Sequence, residues 1–253
     1  MAGIAAAGST WVVTGSSAGI GAAIAAEARS RGATVIGVAR RAGVEVQADL
    51  SDAAQLDGLV ERIEAEHGPI DVWVNNAGID AVGLFAGATA DDVRTIHQVN
   101  LLTPIELCRQ VIPGMVDRGR GHVVNVSSMA SSAAFCGMTL YASTKAGLSS
   151  FHRVLRTEMR GSPIGLTVVE VGPIPTDMLD RVYECPPTER GFRRLRRLRL
   201  MPEVSRATVA KGVVDAVERG RPAVRSPRRA AAFPIITAFP QQVVELLTVR
   251  GGR

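Results

Sequence analysis

"TWVVTGSSAGIG", residues 10–21, joins a short β-branched run to a glycine-rich turn and the start of a helical stretch. Glycines at 15, 19 and 21 let a backbone turn tightly, approach a pyrophosphate and pack the next helix close against a sheet. The helix opening near Gly19 aims unpaired amides and the positive end of its dipole at that point, which suits an anion. Such a glycine pattern alone is weak evidence. Its place after the first strand of a strand–helix series is what gives it weight.

That series continues outward. TWVVT (10–14), ATVIGVA (33–39), VEVQA (44–48), DVWVN (71–75), GHVVNVS (121–127) and IGLTVVEVG (164–172) read as strands buried on both faces. Amphipathic segments at 19–31, 52–67, 89–118 and 141–160 lie between most of them. Strands alternating with helices predict an α/β fold, a doubly wound parallel sheet covered on both sides. No repeat and no Pro/Gly linker divides the chain, so residues 1–253 are expected to form a single domain. One connection is too short. A parallel crossover usually needs a dozen or more residues, yet Arg40 to Val44 leaves only a few. The expectation is a missing helix between the second and third strands.

Bulk properties narrow the class. A hydrophobic fraction of 46% over 253 residues supports a sizeable core. Three cysteines without CxxC spacing predict a reducing, cytoplasmic setting rather than a disulfide or zinc framework. The amino-terminal stretch lacks the positive region of a signal peptide, and the run AAAFPIITAFP is short and broken by prolines, so no membrane span is expected. Residues 1–150 carry 10 basic and 14 acidic groups, whereas residues 151–253 carry 19 and 10. With 27 arginines against two lysines, this reads first as compositional bias and a solvated face, and second as an anionic partner. The four histidines, at 67, 97, 122 and 152, have no metal-ligand spacing, so structural roles and no metal are expected.

Against that arginine bias, the lysine in "YASTK" (141–145) stands out. Tyr141 and Lys145 are four apart and would share a helix face. A phenol with an ordinary pKa of about 10 is a poor base at neutral pH, and a neighbouring ammonium favours its phenolate. The pair predicts an acid/base for a carbonyl or carbinol oxygen. At the end of the second strand, where a carboxylate would bind a ribose 2′-hydroxyl, stand Ala39, Arg40 and Arg41, with no carboxylate until Glu45. Paired guanidiniums suit a 2′-phosphate, so NADP(H) is preferred over NAD(H).

TGSSAGIG, NNAG (75–78), Asn100, SSM (127–129), YASTK and VGPIPT (171–176) occur in one order and spacing, and residues 10 to about 180 resemble the short-chain dehydrogenase/reductase family. The resemblance implies a Rossmann fold with a seven-stranded parallel sheet, a nicotinamide cofactor and hydride transfer at a carbonyl carbon. By position it implies Tyr141 as proton donor and acceptor. Lys145 would lower the phenol's pKa and hold the nicotinamide ribose. Ser128 would be the group that hydrogen-bonds the substrate oxygen, chosen over Ser127 by spacing alone, and Asn100 the holder of a relay water. Gly15, Ser17, Gly19, Ile20 and Gly21 match the phosphate loop. Asp49 and Leu50 would lie by the adenine, Asn76, Ala77 and Gly78 under the adenosine ribose, and Ile174 and Thr176 at the carboxamide. Two departures stand out: Ala18 replaces a basic residue common in NADP-binding members, and Val171-Gly172 replaces proline-glycine.

Residues 176–204 are expected to cover the substrate as a lid. Phe192, Leu195 and Leu198 recur every three residues among arginines, an apolar stripe that would face a lipophilic substrate. The same stripe also suits an anionic lipid surface, while nucleic acid is disfavoured because stacking aromatics are missing. Cys136 and Tyr183 are read as pocket walls. Residues 226–253 form an apolar extension that would pack on the lid or on a second subunit, and a homodimer or homotetramer is implied by resemblance. The expected function is NADP(H)-dependent interconversion of a lipophilic ketone or aldehyde with its alcohol. The alternative is a non-catalytic cofactor-binding regulator or membrane-surface docking protein.

Overall fold

The structure is a computed structural model that describes residues 3–175, 177–197 and 202–227. Seven strands form one fully parallel sheet: β1 (Thr10–Thr14), β2 (Thr34–Ala39), β3 (Val46–Gln47), β4 (Val72–Asn75), β5 (Gly121–Ser128), β6 (Ile164–Val171) and β7 (Ala223–Ser226). Their spatial order is β3-β2-β1-β4-β5-β6-β7, so the winding reverses between β1 and β4. In open α/β sheets that reversal is where a crevice opens beyond the carboxyl ends of the strands. β4 is buried along its whole length and β5 likewise, as expected of strands covered on both faces.

Helices α1 (Gly19–Ser30) and α9 (Arg206–Glu218) cover one face, where Ile24, Val13, Val124 and Val213 form one core cluster. The other face packs Trp73, Leu107, Val111 and Leu166 beneath α3 (Leu59–His67), α5 (Thr103–Asp117) and α6 (Thr139–Glu158). A third cluster gathers Ile96, Leu140, Tyr141, Leu179 and Phe192. It joins α4 (Ala90–His97) and α6 to α7 (Asp177–Glu184) and α8 (Pro186–Arg197). Among the described residues, no helix is long and apolar enough to cross a membrane.

The short link between β2 and β3 carries no helix, as the spacing required, and its consequence is local. β3 pairs with β2 only at Val38–Val46 and Ala39–Gln47, shorter than the five-residue strand read from the sequence. The Glu45 carboxylate covers part of the remaining edge by accepting the Gly37 N–H at 2.7 Å. The segment read as one helix over 52–67 is two. Gly58 adopts left-handed φ between α2 (Ala53–Leu56) and α3, and a left-handed residue ends a helix. The segment read over 89–118 also changes geometry midway, at a π-helical turn over Gln98–Leu102. The capping box at Thr89 and Asp92 starts α4 cleanly.

Candidate active site

The glycine turn hands β1 to α1 at the reversal point. A Cβ on Gly21 would stand 2.3 Å from the Gly15 carbonyl oxygen and 2.4 Å from Asn76 Nδ2, so only glycine lets α1 sit this close to the turn. Thr14 and Asn76 lock the ends of β1 and β4 together. The Thr14 hydroxyl accepts from the N–H groups of Asn76 and Ala77, each at 3.0 Å, and Asn76 Nδ2 donates to the Thr14 carbonyl at 2.9 Å. The Asn76 side chain is therefore a strut of the sheet edge.

Beyond these ends lies a cavity of about 460 Å³, within the usual range of ligand sites. Gly15, Ser17, Gly19 and Ile20 line its centre, Arg40, Arg41, Asp49 and Leu50 one wall, and Asn76, Ala77, Gly78 and Ile79 another. Gly21 supports the loop from below and is not on the wall. Ile174 is buried with Val171 and Val209 in the first core cluster rather than on the wall, and Thr176 lies outside the described residues. Arg181 and Arg206 also line the cavity. The sequence reading missed both, because nothing marks them among the many arginines of the carboxyl-terminal half.

On the wall formed by Arg40, Arg41, Asp49 and Leu50, Arg40 is largely exposed and stands 3.9 Å from Asp49. Hydrogen bonds from the Ser51 hydroxyl and N–H hold Asp49 below its ordinary pKa, and Arg40 adds to that. Glu45 is committed elsewhere, to Gly37 N–H and to Arg29 at 2.6 Å. Among the described residues, no carboxylate other than Asp49 lines this cavity.

The polar cluster on β5 and α6 abuts the cavity through Gly78. A Cβ there would stand 3.2 Å from Asn100 Oδ1 and 3.5 Å from Lys145 Nζ, so the missing side chain keeps open the space between wall and lysine. The π-helical turn brings fully buried Asn100 inward, where Oδ1 accepts the Ile79 N–H and Nδ2 donates to the Ile79 carbonyl, both at 2.8 Å. Nδ2 also reaches Thr144 Oγ1 at 3.3 Å. This side chain ties the segment after β4 to the helix carrying Tyr141 and Lys145.

Spacing alone separated Ser127 from Ser128; geometry separates them by chemistry. Ser127 points into α6, donating to the Lys145 carbonyl at 3.0 Å and pairing with Ser149 Oγ at 2.7 Å. Ser128 accepts the Ala130 N–H at 3.1 Å and donates to the Val171 carbonyl at 3.4 Å, and its hydroxyl is near enough to Tyr141 to bear on the phenol's pKa. Alternation of side chains along β5 places the two hydroxyls on opposite faces.

Lys145 Nζ is buried, donates to the Val126 carbonyl at 3.0 Å and stands 5.8 Å from the Tyr141 ring centre. Burial pulls its pKa down to about 8. The same burial raises the Tyr141 phenol above its ordinary value; the Ser128 hydrogen bond opposes the rise and the Asp80 carboxylate adds to it. Both groups sit in one buried enclosure, and burial is the largest influence on each, favouring the neutral form of both.

Helices α7 and α8 border the site. Phe192 packs on Phe135 with ring centres 4.8 Å apart and meets Tyr183 edge-on at 6.5 Å. Its apolar side therefore faces the third cluster, with Tyr141, while Arg190, Arg193, Arg194, Arg196 and Arg197 stay exposed. Leu198 and the side chain of Leu195 lie outside the described residues, as do residues 228–253. Thr188 Oγ1 fastens α8 to the Cys136 carbonyl at 2.7 Å. His122 and His152 are buried, with burial lowering their pKa values to about 4 and about 3. Among the described residues there is no cluster of three metal-ligating side chains.

A nicotinamide dinucleotide fits these residues. The glycine turn without a charged side chain, the Ser17 hydroxyl on the wall and the opening kept at Gly78 leave room and polar capacity along one cavity.

Comparisons with known proteins agree with this geometry. The ketoacyl reductase HetN of Nostoc sp. is 34% identical over 178 residues, a match spanning 64% of this chain and 62% of that protein. The chain therefore covers less than two thirds of that relative's length. A crystal structure of a short-chain dehydrogenase from Streptomyces avermitilis is 28% identical, superposes with a TM-score of 0.77 and is matched over 96% of this chain and 97% of its own. A blue fluorescent protein from a metagenomic library, solved in complex with NADPH, is 29% identical with a TM-score of 0.74 over 88% of this chain and 98% of its own. The family profile described as short chain dehydrogenase matches residues 9–186, and with the seven-stranded sheet and the clustered serine, tyrosine and lysine it identifies the chain as a member of the short chain dehydrogenase family.

Proposed function

We propose that this protein is an NADP(H)-dependent oxidoreductase that interconverts a lipophilic ketone or aldehyde with the corresponding alcohol. The observation that carries the reading is the convergence of Ser128, Tyr141 and Lys145 beside Gly78, at the edge of a cavity whose centre is the phosphate loop. A bound nicotinamide dinucleotide supplies or accepts the hydride. Tyr141 holds the proton for the substrate oxygen, and burial favours its neutral form. Ser128, fixed by the Ala130 N–H, orients the same oxygen. Lys145 presents its ammonium next to the phenol and toward the opening at Gly78. Ile96, Met138, Leu140, Leu179 and Phe192 exclude water on the substrate side, which favours an apolar substrate.

The NADP(H) preference rests on Arg40 and Arg41 on the cavity wall, where Asp49 accepts from Ser51 and Glu45 is turned to Gly37 and Arg29. The names of relatives support the chemistry: a ketoacyl reductase and, at 35% identity, an NADP-dependent 3-hydroxy acid dehydrogenase of Salmonella typhi. Equilibrium titration with NADPH and NADH tests the cofactor reading. NADPH is expected to bind about tenfold or more tightly, since each charge-assisted contact to phosphate contributes roughly 1.5–3 kcal/mol. Arg40→Asp should move preference toward NADH. Equal affinities in the wild type, unchanged by the substitution, would rule the preference out.

A further inference from the structure

Counter-charge along the cavity is unevenly placed. Its charged lining residues are Arg40, Arg41, Arg181, Arg206 and Asp49. The phosphate loop, residues 14–21, has no charged side chain, with alanine at position 18. Arg40 and Arg41 sit beside Ala39 at the end of β2, where Arg40 faces Asp49. The two remaining arginines come from the other side of the site. Arg206, at the start of α9, is anchored by Nε and Nη2 on the Pro175 carbonyl, at 2.9 and 2.6 Å. Nearby Val204 packs against the first core cluster, as does Ile20 of the loop. Arg181, on α7, directs Nε at both oxygens of Asp80, each at 3.0 Å, and that carboxylate is only 8% exposed. Both guanidiniums are thus carried by elements outside the nucleotide-binding half and held in fixed orientations, Arg206 by Pro175 and Arg181 by Asp80, and both reach the cavity that the loop lines.

We propose that Arg206 and Arg181 form a cationic clamp on the diphosphate bridge of the dinucleotide, providing from the far wall the charge that the phosphate loop lacks. Asp80 is its positioning residue, fixing the guanidinium of Arg181. The inference rests on the reading of the cavity as a dinucleotide site and adds two binding residues to it. Planar guanidiniums on two supports match paired phosphates better than mobile ammoniums do. Because α7 carries Arg181 and also packs Leu179 into the cluster around Tyr141, binding of the diphosphate would steady the substrate side of the site.

The diphosphate is common to both cofactors, and this separates the clamp from Arg40. Purified Arg206→Gln, Arg181→Gln and Asp80→Asn proteins, checked for unchanged thermal unfolding, would be titrated with four ligands. These are NADPH, NADH, ADP-ribose and adenosine 2′-monophosphate, which has no 5′-phosphate and so no part of the bridge. Arg206→Gln and Arg181→Gln should each weaken the first three by about tenfold. The NADPH-to-NADH ratio and the affinity for the monophosphate should stay unchanged. Asp80→Asn should give a smaller loss, and none when added to Arg181→Gln. Unchanged affinity for NADH and ADP-ribose in both arginine variants would overturn the clamp, as would a loss confined to NADPH or one equal for all four ligands. If the wild-type protein binds none of the dinucleotides, the reading of the cavity falls with it.

Discussion

Replacing Lys145 with methionine should make the protein more stable while removing its activity. Methionine keeps most of the side-chain volume and removes the buried charge. The ammonium is 4% exposed, and its pKa of about 8, against an ordinary 10.5, has burial as its cause. At about 1.4 kcal/mol per unit, holding it charged in the folded state costs about 3 kcal/mol. Losing the hydrogen bond to the Val126 carbonyl offsets about 1 kcal/mol of the gain. The net is about 2 kcal/mol, a rise in Tm of roughly 4–8 °C for a chain of this size. The sign follows from the depressed pKa. Between pH 8 and 10.5 the unfolded chain binds more protons at this site, so wild-type stability rises through that window. The advantage of Lys145→Met is therefore full below pH 8 and fades toward pH 10.5. Thermal and urea unfolding of both proteins at pH 7 and pH 10 would measure it. A variant less stable than wild type at pH 7, or equally advantaged at both pH values, would refute the reasoning.

The two adjacent serines should separate in the same way. Ser127→Ala should lose about 1–3 kcal/mol of stability, because its buried partners lose their hydrogen bond, with turnover kept within a few fold. Ser128→Ala should fold normally and lose about 100-fold or more in kcat. Acid should destabilise the protein through His122 and His152, whose folded pKa values of about 4 and about 3 lie below the unfolded 6.5. Stability should fall from pH 6.5 downward by close to 3 kcal/mol per pH unit with both histidines acting. Urea unfolding between pH 7 and pH 4 would check this, with His152→Gln expected to reduce the slope. Phe192→Ala should expose the arginines of α8 to trypsin sooner and raise KM for apolar substrates, since Phe192 carries the contacts to Phe135 and Tyr183.

Where one physical rule dominates, the sequence was enough. Continuous β-branched runs read as strands covered on both faces, and the glycines at 15, 19 and 21 mark a tight turn after the first of them, so the parallel sheet and its phosphate-binding turn were legible. Tyr141 and Lys145 share a face because four residues make about one helical turn. Tertiary competition hid the rest. The edge role of Glu45 depends on an unpaired N–H at Gly37 that exists only once β3 is short. Asn100 turns inward because a π-helical turn interrupts the 89–118 segment, and no residue there announces it. The β7 strand, AVRS, is short and half-buried, so its pattern is indistinct and only the family resemblance implied a seventh strand. Electrostatics was the hardest part. A lysine beside a tyrosine reads as a phenolate stabiliser, and the burial that pushes the phenol's pKa up is visible only in the fold. Arg181 and Arg206 had no signal at all, because their meaning comes from Asp80 and Pro175.

The most direct test of the central claim is single turnover. Wild-type and Tyr141→Phe proteins, each saturated with NADPH, would be mixed with a panel of apolar ketones and followed by nicotinamide absorbance. The wild type is expected to oxidise NADPH with at least one class of ketone. Tyr141→Phe should keep its NADPH affinity and fall by about 100-fold or more, because it loses the transferable proton and almost no binding surface. Turnover by Tyr141→Phe near the wild-type rate on the same ketone would contradict the assignment of Tyr141 as the acid.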